Sequence, residues 1–389
     1  MRHLDETRLK YICSSFSSNI STDLLTDEVI EDSKYRVFGA SGLLGYYKFF
    51  SSNKEYLGII KDGAGVGRIN KYPKYSSILG TMAYIVPNNY IDVDWLKYCI
   101  LAMNLGESID KTTIPHIYFS EYGNRKITIF NYEEQKRIAI YLDKQCKKID
   151  EIMADIQSQI DTLEDYKKSV ISEAVTRGLN PNVEMKETDM GWIKKVPAKW
   201  NISRIASVYE LRNEKVSDND YQPLSVTMKG VLPQLDTVAK SDAHDDRKLV
   251  RKGDFAINSR SDRRGSCGIA PCDGSISLIN TVLCPLTNMN PIYYNWLFHT
   301  TEFADEFYKW GHGIVDDLWT TGWQEMKNIL IPVPPVQEQE EIAKYLNKKC
   351  TEIDSIIEDK KAQLETIENY KKSLIYEYVT GKKEAPENE

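Results

Sequence analysis

The chain has 389 residues, 41% hydrophobic and 11% aromatic, which is enough for two or three packed domains. Its net charge of −7 argues against a nucleic-acid binder, which is usually basic, although charge is local. Cys13, Cys99, Cys146, Cys267, Cys272, Cys284 and Cys350 are scattered and form no C-x-x-C pair, so no zinc ribbon or redox motif is indicated; the spacing fits reduced thiols in the cytoplasm. No N-terminal signal pattern occurs, and no apolar run approaches the ~20 residues of a membrane span.

Residues 1–132 form a first variable segment of short strands and turns. RVFGASGLLGYYKFF and YLGIIKDGAGVGRI read as strands broken by glycine turns, SSILGTMAYIV as a further strand and DVDWLKYCILAMN as a short helix, with KITIF closing the segment as a strand. Gly63, Gly65 and Gly67 imitate a nucleotide loop, but the residues that follow contain a proline and no helical pattern. The reading is a turn between strands. Basic candidates for nucleic-acid contact are Lys48, Lys61, Arg68, Lys71, Lys74 and Lys111; the interleaved Tyr46, Tyr47, Tyr72 and Tyr75 read as packing residues.

Residues 133–178 form a long helix, and 336–381 repeat it. EQKRIAIYLDKQCKKIDEIMADIQSQIDTLEDYKKSVISEAVT (134–176) aligns without a gap with 338–380 at a constant offset of 204, and roughly half the positions are identical. Leu142, Ile149, Ile156, Leu163 and Val170 recur every seven residues, and Cys146, Met153, Ile160 and Ala174 form the companion series. In the second copy the seam is Leu346, Cys350, Ile353, Ile357, Leu364, Ile367, Leu374 and Tyr378. A 3.5-residue seam is the signature of a coiled coil. Each helix spans about 60 Å. Gly178 and Gly381 follow the ends as left-handed caps, and Pro332, Pro334 and Pro335 forbid an earlier start to the second helix. An antiparallel pairing is expected, closing the chain into a pseudo-twofold ring. Lys167 and Lys371 occupy equivalent seam positions and read as snorkelling lysines.

A linker (179–194) leads into the second variable segment, 195–335, which follows the same plan: strands in YQPLSVTMKG, LVRKGDFAINSR and GSCGIAPCDGSISLINTVLCPL, a helix over PIYYNWLFHTTEFADEFYKW, then the strand NILIPVP. Residues 382–389 form a tail. The window 247–264 is strongly basic (Arg247, Lys248, Arg251, Lys252, Arg260, Arg263, Arg264), and SRSDRRGS forms a turn able to reach a DNA groove. Lys229 and His312 complete the DNA-contact candidates. Asn290-Pro291-Ile292-Tyr293 resembles a methyltransferase tetrapeptide but reads as a capped helix start. Glu325-Met326-Lys327, with Asp316 and Asp317 upstream, imitates a nuclease triplet that arises freely in a charged chain. His3, His116, His244, His299 and His312 show no ligand spacing. No catalytic residue and no metal site is expected.

IPVPPVQEQEEIAKYLNKK, YKKSLIYEYVTGK and VTRGLNPNVEMKETDMGWIKKVPAKW, in this order around two unlike segments, resemble the specificity subunit of type I restriction–modification systems over essentially the whole chain, and GDFAINSRS resembles that family's recognition domains. The resemblance implies an α+β protein with two α/β target-recognition domains, separated by two long helices in an intramolecular antiparallel coiled coil. It implies a non-catalytic subunit that binds a bipartite, asymmetric double-stranded DNA site. Partners would be two methyltransferase subunits and ATP-driven restriction subunits, carrying S-adenosylmethionine, ATP and Mg and acting on adenine. The alternative is a coiled-coil scaffold protein without DNA recognition. One departure is that Arg8-Leu9 matches Arg204-Ile205 while Gly191–Trp200 has no counterpart ahead of the first domain, which leaves the packing of that domain's edge open; the proline-rich tract before the second helix likewise has none in IFNYEEQ.

Overall fold

The computed structural model describes residues 5–63, 65–106, 115–234, 246–260, 264–286, 289–314 and 319–387. The chain divides into two compact units. Unit 1 comprises residues 1–157 and 361–389, and unit 2 comprises 158–360. Each long helix is cut by this division, so each unit holds one strand-rich domain and half of each helix.

In unit 1 the strands are β1 (Asp5–Arg8), β2 (Cys13–Ser17), β3 (Tyr35–Gly39), β4 (Gly42–Tyr47), β5 (Tyr56–Ile60), β6 (Ile69–Tyr72), β7 (Ser76–Ile78), β8 (Met82–Pro87) and β9 (Lys126–Ile129). The helices are α1 (Val93–Leu101), α2 (Phe119–Tyr122) and the start of α3 (Tyr132–Arg177). Strand pairing gives a core sheet in the order β2-β8-β5-β6, a smaller sheet β4-β3-β7, and the pair β1-β9. SSILGTMAYIV, read as one strand, is two, broken at Leu79–Thr81. Its first part pairs in the small sheet and its second in the core sheet, so the chain must turn between them.

In unit 2 the strands are β10 (Met185–Glu187), β11 (Lys195–Pro197), β12 (Asn201–Arg204), β13 (Tyr209–Arg212), β14 (Lys215–Val216), β15 (Leu224–Thr227), β16 (Gly230–Pro233), β17 (Arg247–Val250), β18 (Phe255–Asn258), β19 (Cys267–Ile269), β20 (Gly274–Ser277), β21 (Asn280–Pro285) and β22 (Leu330–Val333). The helices are α4 (Pro291–Phe298), α5 (Thr301–Lys309), α6 (Trp323–Met326) and the start of α7 (Val336–Val379). The expected single helix over 291–310 is two. Thr300 leaves the helical conformation, and its Oγ1 accepts from the amide of Phe303 (3.3 Å) to cap α5. The stretch 179–194 is more than a tether, because Met190 and Ile193 are buried in the unit 2 core and Thr188 bonds back to Lys194.

The two domains repeat the same core plan. The core sheet β13-β21-β18-β19 has the order of β2-β8-β5-β6. The pairs Ile59↔Ile69 and Ile60↔Met82 reappear, 198 positions on, as Ile257↔Cys267 and Asn258↔Asn280. The pair β12-β22 matches β1-β9, with Arg204 opposite Leu330 as Arg8 is opposite Lys126. The smaller sheets correspond too. Strand β3 of the hairpin β3–β4 pairs parallel with β7, and β15–β16 meets β20 through the parallel bridge Pro223↔Ser275. Ser52↔Ser76 on one side of β7 matches Val250↔Gly274 on one side of β20.

The helix halves run antiparallel in each unit. In unit 1 Leu142, Cys146 and Ile149 of α3 share a core with Leu374, Ile375 and Tyr378 of α7, and the Tyr141 and Tyr378 rings meet at 4.6 Å. In unit 2 Val170, Ala174 and Val175 share a core with Ile342 and Leu346. Ile156, Ile160, Cys350, Ile353 and Ile357 are buried, while Met153, Leu163, Leu364 and Ile367 are half-buried, so the seam faces inward. The two seam lysines reach across the helix pair to aspartates: Lys371 to Asp150 in unit 1 (2.5 Å) and Lys167 to Asp354 in unit 2 (2.7 Å). The two ion pairs are equivalent under the 204-residue repeat. Asn131 starts α3 by accepting from the Glu134 amide (2.9 Å), where α7 begins after prolines. Gly178 (φ 76°) and Gly381 (φ 74°) follow the ends, as the sequence indicates.

Each domain is fastened to its helix pair by the same two contacts. Buried Gln135 accepts from the amide of Asp92, the cap of α1 (2.8 Å), and donates to Phe130 O (2.9 Å). Its repeat Gln339 accepts from the amide of Asn290, the cap of α4 (2.8 Å), and donates to Pro334 O (2.8 Å). Further along, Tyr98 donates to Asp143 (2.5 Å) and Trp296 to Asn347 (3.0 Å). A buried amide side chain that satisfies both a donor and an acceptor fixes orientation as well as distance.

Candidate nucleic-acid interface

The turn after the third core strand occupies one structural position in both domains. In domain 1 it is the glycine turn between β5 and β6; in domain 2 it is the arginine-bearing turn between β18 and β19. Gly63 (φ 89°) and Gly67 (φ 86°) are in the left-handed region, and a Cβ on Gly67 would lie 2.7 Å from Gly106 N. The GAGVG stretch is therefore a turn between strands, as read from the sequence. Arg68 folds back across it, with its guanidinium 2.7 Å from where a Gly65 Cβ would stand.

The segment facing each turn is also repeated. In domain 1 Asp62 bridges His116, and the Ile117 amide bonds Lys61 O (3.0 Å). In domain 2 Arg260 bridges Thr320, and the Thr321 amide bonds Ser259 O (2.9 Å). The same frame presents different chemistry. Asp62 in domain 1 holds Lys61 on one oxygen and His116 Nδ1 (2.8 Å) on the other, and these hydrogen bonds lower its pKa against an opposing desolvation that is the largest single influence. In domain 2 Thr320 pairs with Arg260 on one side and with His312 on the other, and both of these residues are exposed.

The other candidates are distributed as follows. Lys48 is exposed, with its ammonium 5.3 Å from the Phe49 ring, and Lys229 is exposed at a hairpin tip. Arg264 is engaged, its guanidinium 3.8 Å from the Tyr308 ring and 3.1 Å from Asp305. Lys111 and Arg263 lie outside the described residues. The basic window is not a continuous cationic surface. Arg247 donates to Ser275 Oγ (2.9 Å) and Ser275 O (3.0 Å), Lys248 donates to Asn280 O (2.7 Å), and burial lowers the pKa of both. Tyr72 is a packing residue, buried and donating to Gly39 O (3.2 Å). Tyr75 is not; it is half exposed, its ring meets that of Phe50 at 5.3 Å, and Lys74 lies 5.8 Å from it. The sequence signal for this patch was the run YYKFF.

The enzyme-like motifs resolve into structure. Asn290 caps α4, its Oδ1 accepting from the amides of Ile292 (2.9 Å) and Tyr293 (3.2 Å). Glu325 turns back to the Gly322 amide (3.1 Å) at the start of α6; Asp316 and Asp317 lie outside the described residues. Among the described residues no group of side chains could hold a metal, and no helix is long and apolar enough to cross a membrane. Sequence reasoning missed Gln135 and Gln339 as the domain fasteners, although the repeated Glu-Gln at the head of both helices carried the signal.

No protein-family model matches the chain. It is 25% identical over 358 residues to the type I restriction enzyme MjaVIII specificity subunit of Methanocaldococcus jannaschii, covering 85% of this chain and 79% of that protein. It is 28% identical over 294 residues to the putative MjaX specificity subunit of the same organism, covering 71% of this chain and 61% of that protein. Among solved structures, a chain from a study of complex assembly and conformational transition in the type I R-M system has the same fold, with a TM-score of 0.66 at 14% identity and 98% coverage of both chains. The HsdS subunit from Thermoanaerobacter tengcongensis has a TM-score of 0.50 at 14% identity, covering 98% of this chain and 97% of that one. The chain is similar in sequence, over most of its length, to specificity subunits of type I restriction enzymes, and it shares its fold over nearly all of its length with an HsdS subunit.

Proposed function

We propose that this chain is the DNA-specificity subunit of a type I restriction–modification complex. Its two domains each read one half of a bipartite, asymmetric site, and the paired helices hold the halves at a set spacing. One observation carries this reading. Two domains with the same core sheet and the same fastening to the helices differ in chemistry at one repeated turn: Asp62, bonded to Lys61 and His116, stands in one where exposed Arg260 stands in the other. A scaffold has no need of two equivalent surfaces with unlike side chains, whereas a reader of an asymmetric sequence does.

On this reading the chain carries no chemistry of its own. Two methyltransferase subunits dock on it and bring S-adenosylmethionine to adenine, and restriction subunits bring ATP and Mg. The complex works in the cytoplasm. The test is to purify the chain with its methyltransferase subunits and select from random duplexes. Enrichment of two unlike half-sites at a constant gap supports the proposal. Absence of any bipartite enrichment overturns it and leaves the scaffold reading.

A further inference from the structure

Each domain carries a short hairpin that the reading above does not use. Gly39↔Gly42 closes β3–β4 and Thr227↔Gly230 closes β15–β16, each around a two-residue tip: Ala40-Ser41 in domain 1 and Met228-Lys229 in domain 2. A glycine with positive φ follows each tip, Gly42 at 131° and Gly230 at 105°. The frame is therefore common and the tip variable, as at the β5–β6 and β18–β19 turns.

In domain 2 the hairpin is firmly seated. Leu224, Val226 and Val231 are buried in one core cluster. Thr227 Oγ1 accepts from the Lys229 amide (3.1 Å) and donates to Gly230 O (2.9 Å). A Cβ on Gly268 would lie 2.7 Å from Gly230 Cα, so the hairpin backbone rests directly on β19, which leads out of the turn bearing Arg264. The tip is uncovered. Met228 is 73% exposed, Lys229 is exposed, and Leu232 on the outer face is 42% exposed. A long apolar side chain held out on a rigid base, beside a lysine, is the equipment of a side chain that wedges into a base step.

We propose that the β15–β16 hairpin is a groove-inserted finger of domain 2, with Met228 unstacking one base step and Lys229 contacting the adjoining phosphate. The inference rests on the DNA-reading function proposed above. It makes part of domain 2's specificity a matter of deformability, favouring a flexible pyrimidine–purine step in its half-site. The short tip Ala40-Ser41 gives domain 1 no such wedge.

The test uses the chain assembled with its methyltransferase subunits and the selected duplex, with 2-aminopurine placed in turn at each step of the half-sites. Wild type should raise the fluorescence at one step in domain 2's half-site. Met228→Ala should abolish that rise and weaken binding roughly tenfold, with unchanged thermal melting because the side chain is on the surface. The transplant M228A/K229S should behave like Met228→Ala, and A40M/S41K should create a new fluorescent step in the other half-site. Specific binding by wild type with no unstacked step, or with Met228→Ala equal to wild type in both readouts, overturns the finger and leaves the two-reader function standing. Failure of wild type to bind any selected duplex overturns that function and the finger with it.

Discussion

Gln339→Ala removes the side chain that fastens domain 2 to its helix pair. Gln339 is 1% exposed and makes two 2.8 Å hydrogen bonds, one from the Asn290 amide and one to Pro334 O. Truncation strands the part-buried Asn290 amide and the buried Pro334 carbonyl, each costing about 1–3 kcal/mol, so the local loss is about 2–6 kcal/mol. Native-state hydrogen exchange reads it directly, because the Asn290 amide is the group protected. At about 1.4 kcal/mol per tenfold, that amide should exchange faster by roughly 30-fold to about 10⁴-fold. The Asp92 amide, bonded to Gln135 in unit 1, should be unchanged; Gln135→Ala should produce the mirror result. Gln339→Glu keeps an acceptor for Asn290 but turns a carboxylate on Pro334 O. Burial raises that carboxyl's pKa above the ordinary ~4.3, so the defect should ease as pH falls through the raised value and a proton again reaches the carbonyl. An Asn290 amide that exchanges as in wild type, or equal acceleration in both domains, would refute the reasoning.

Other consequences are as direct. Gly67→Ala should destabilise unit 1 by about 1–3 kcal/mol in thermal melting, since φ is positive and the new Cβ meets Gly106 N, whereas Gly63→Ala meets nothing within 4 Å and should cost less. A double-mutant cycle on Lys371 and Asp150 should give a coupling of about 0.2–1 kcal/mol that fades with salt, the aspartate being 58% exposed, and Lys167 with Asp354 should give a similar value. Alkylation at pH 8 should modify half-exposed Cys272 well before Cys13, which is buried and has its thiol pushed up to about 12 by desolvation. Arg260→Ala with His312→Ala should weaken binding to the selected duplex and flatten its salt dependence; retention of both properties would remove that pair from the interface.

The long helices were legible because a 3.5-residue seam written twice has one cheap solution, and the buried Leu142, Ile149, Leu346 and Leu374 follow it. The seam lysines were half legible. Snorkelling explains their place on the seam, but the aspartates that receive them lie on the other helix, and pairing partners distant in sequence leave no local trace. The break at His299–Thr300 was missed because a threonine cap in an apolar run resembles a tolerated helix residue until its Oγ1 finds an amide. The basic window misled for a related reason. Composition counts charges, whereas Arg247 and Lys248 spend theirs on Ser275 and Asn280 of neighbouring strands. The equivalence of the glycine turn and the arginine turn emerged only from strand register, since the two sequences share no pattern beyond Gly67 and Gly265.

The central claim, that paired helices set the spacing between two unlike readers, is tested by lengthening both helices together. Insertion of one heptad at equivalent midpoints of α3 and α7 preserves the seam and adds about 10.5 Å to each helix. Selected half-sites should then be unchanged in sequence while their gap grows by about three base pairs, at ~3.4 Å per pair. A correctly folded insertion complex that selects the same half-sites at the original gap would contradict the account.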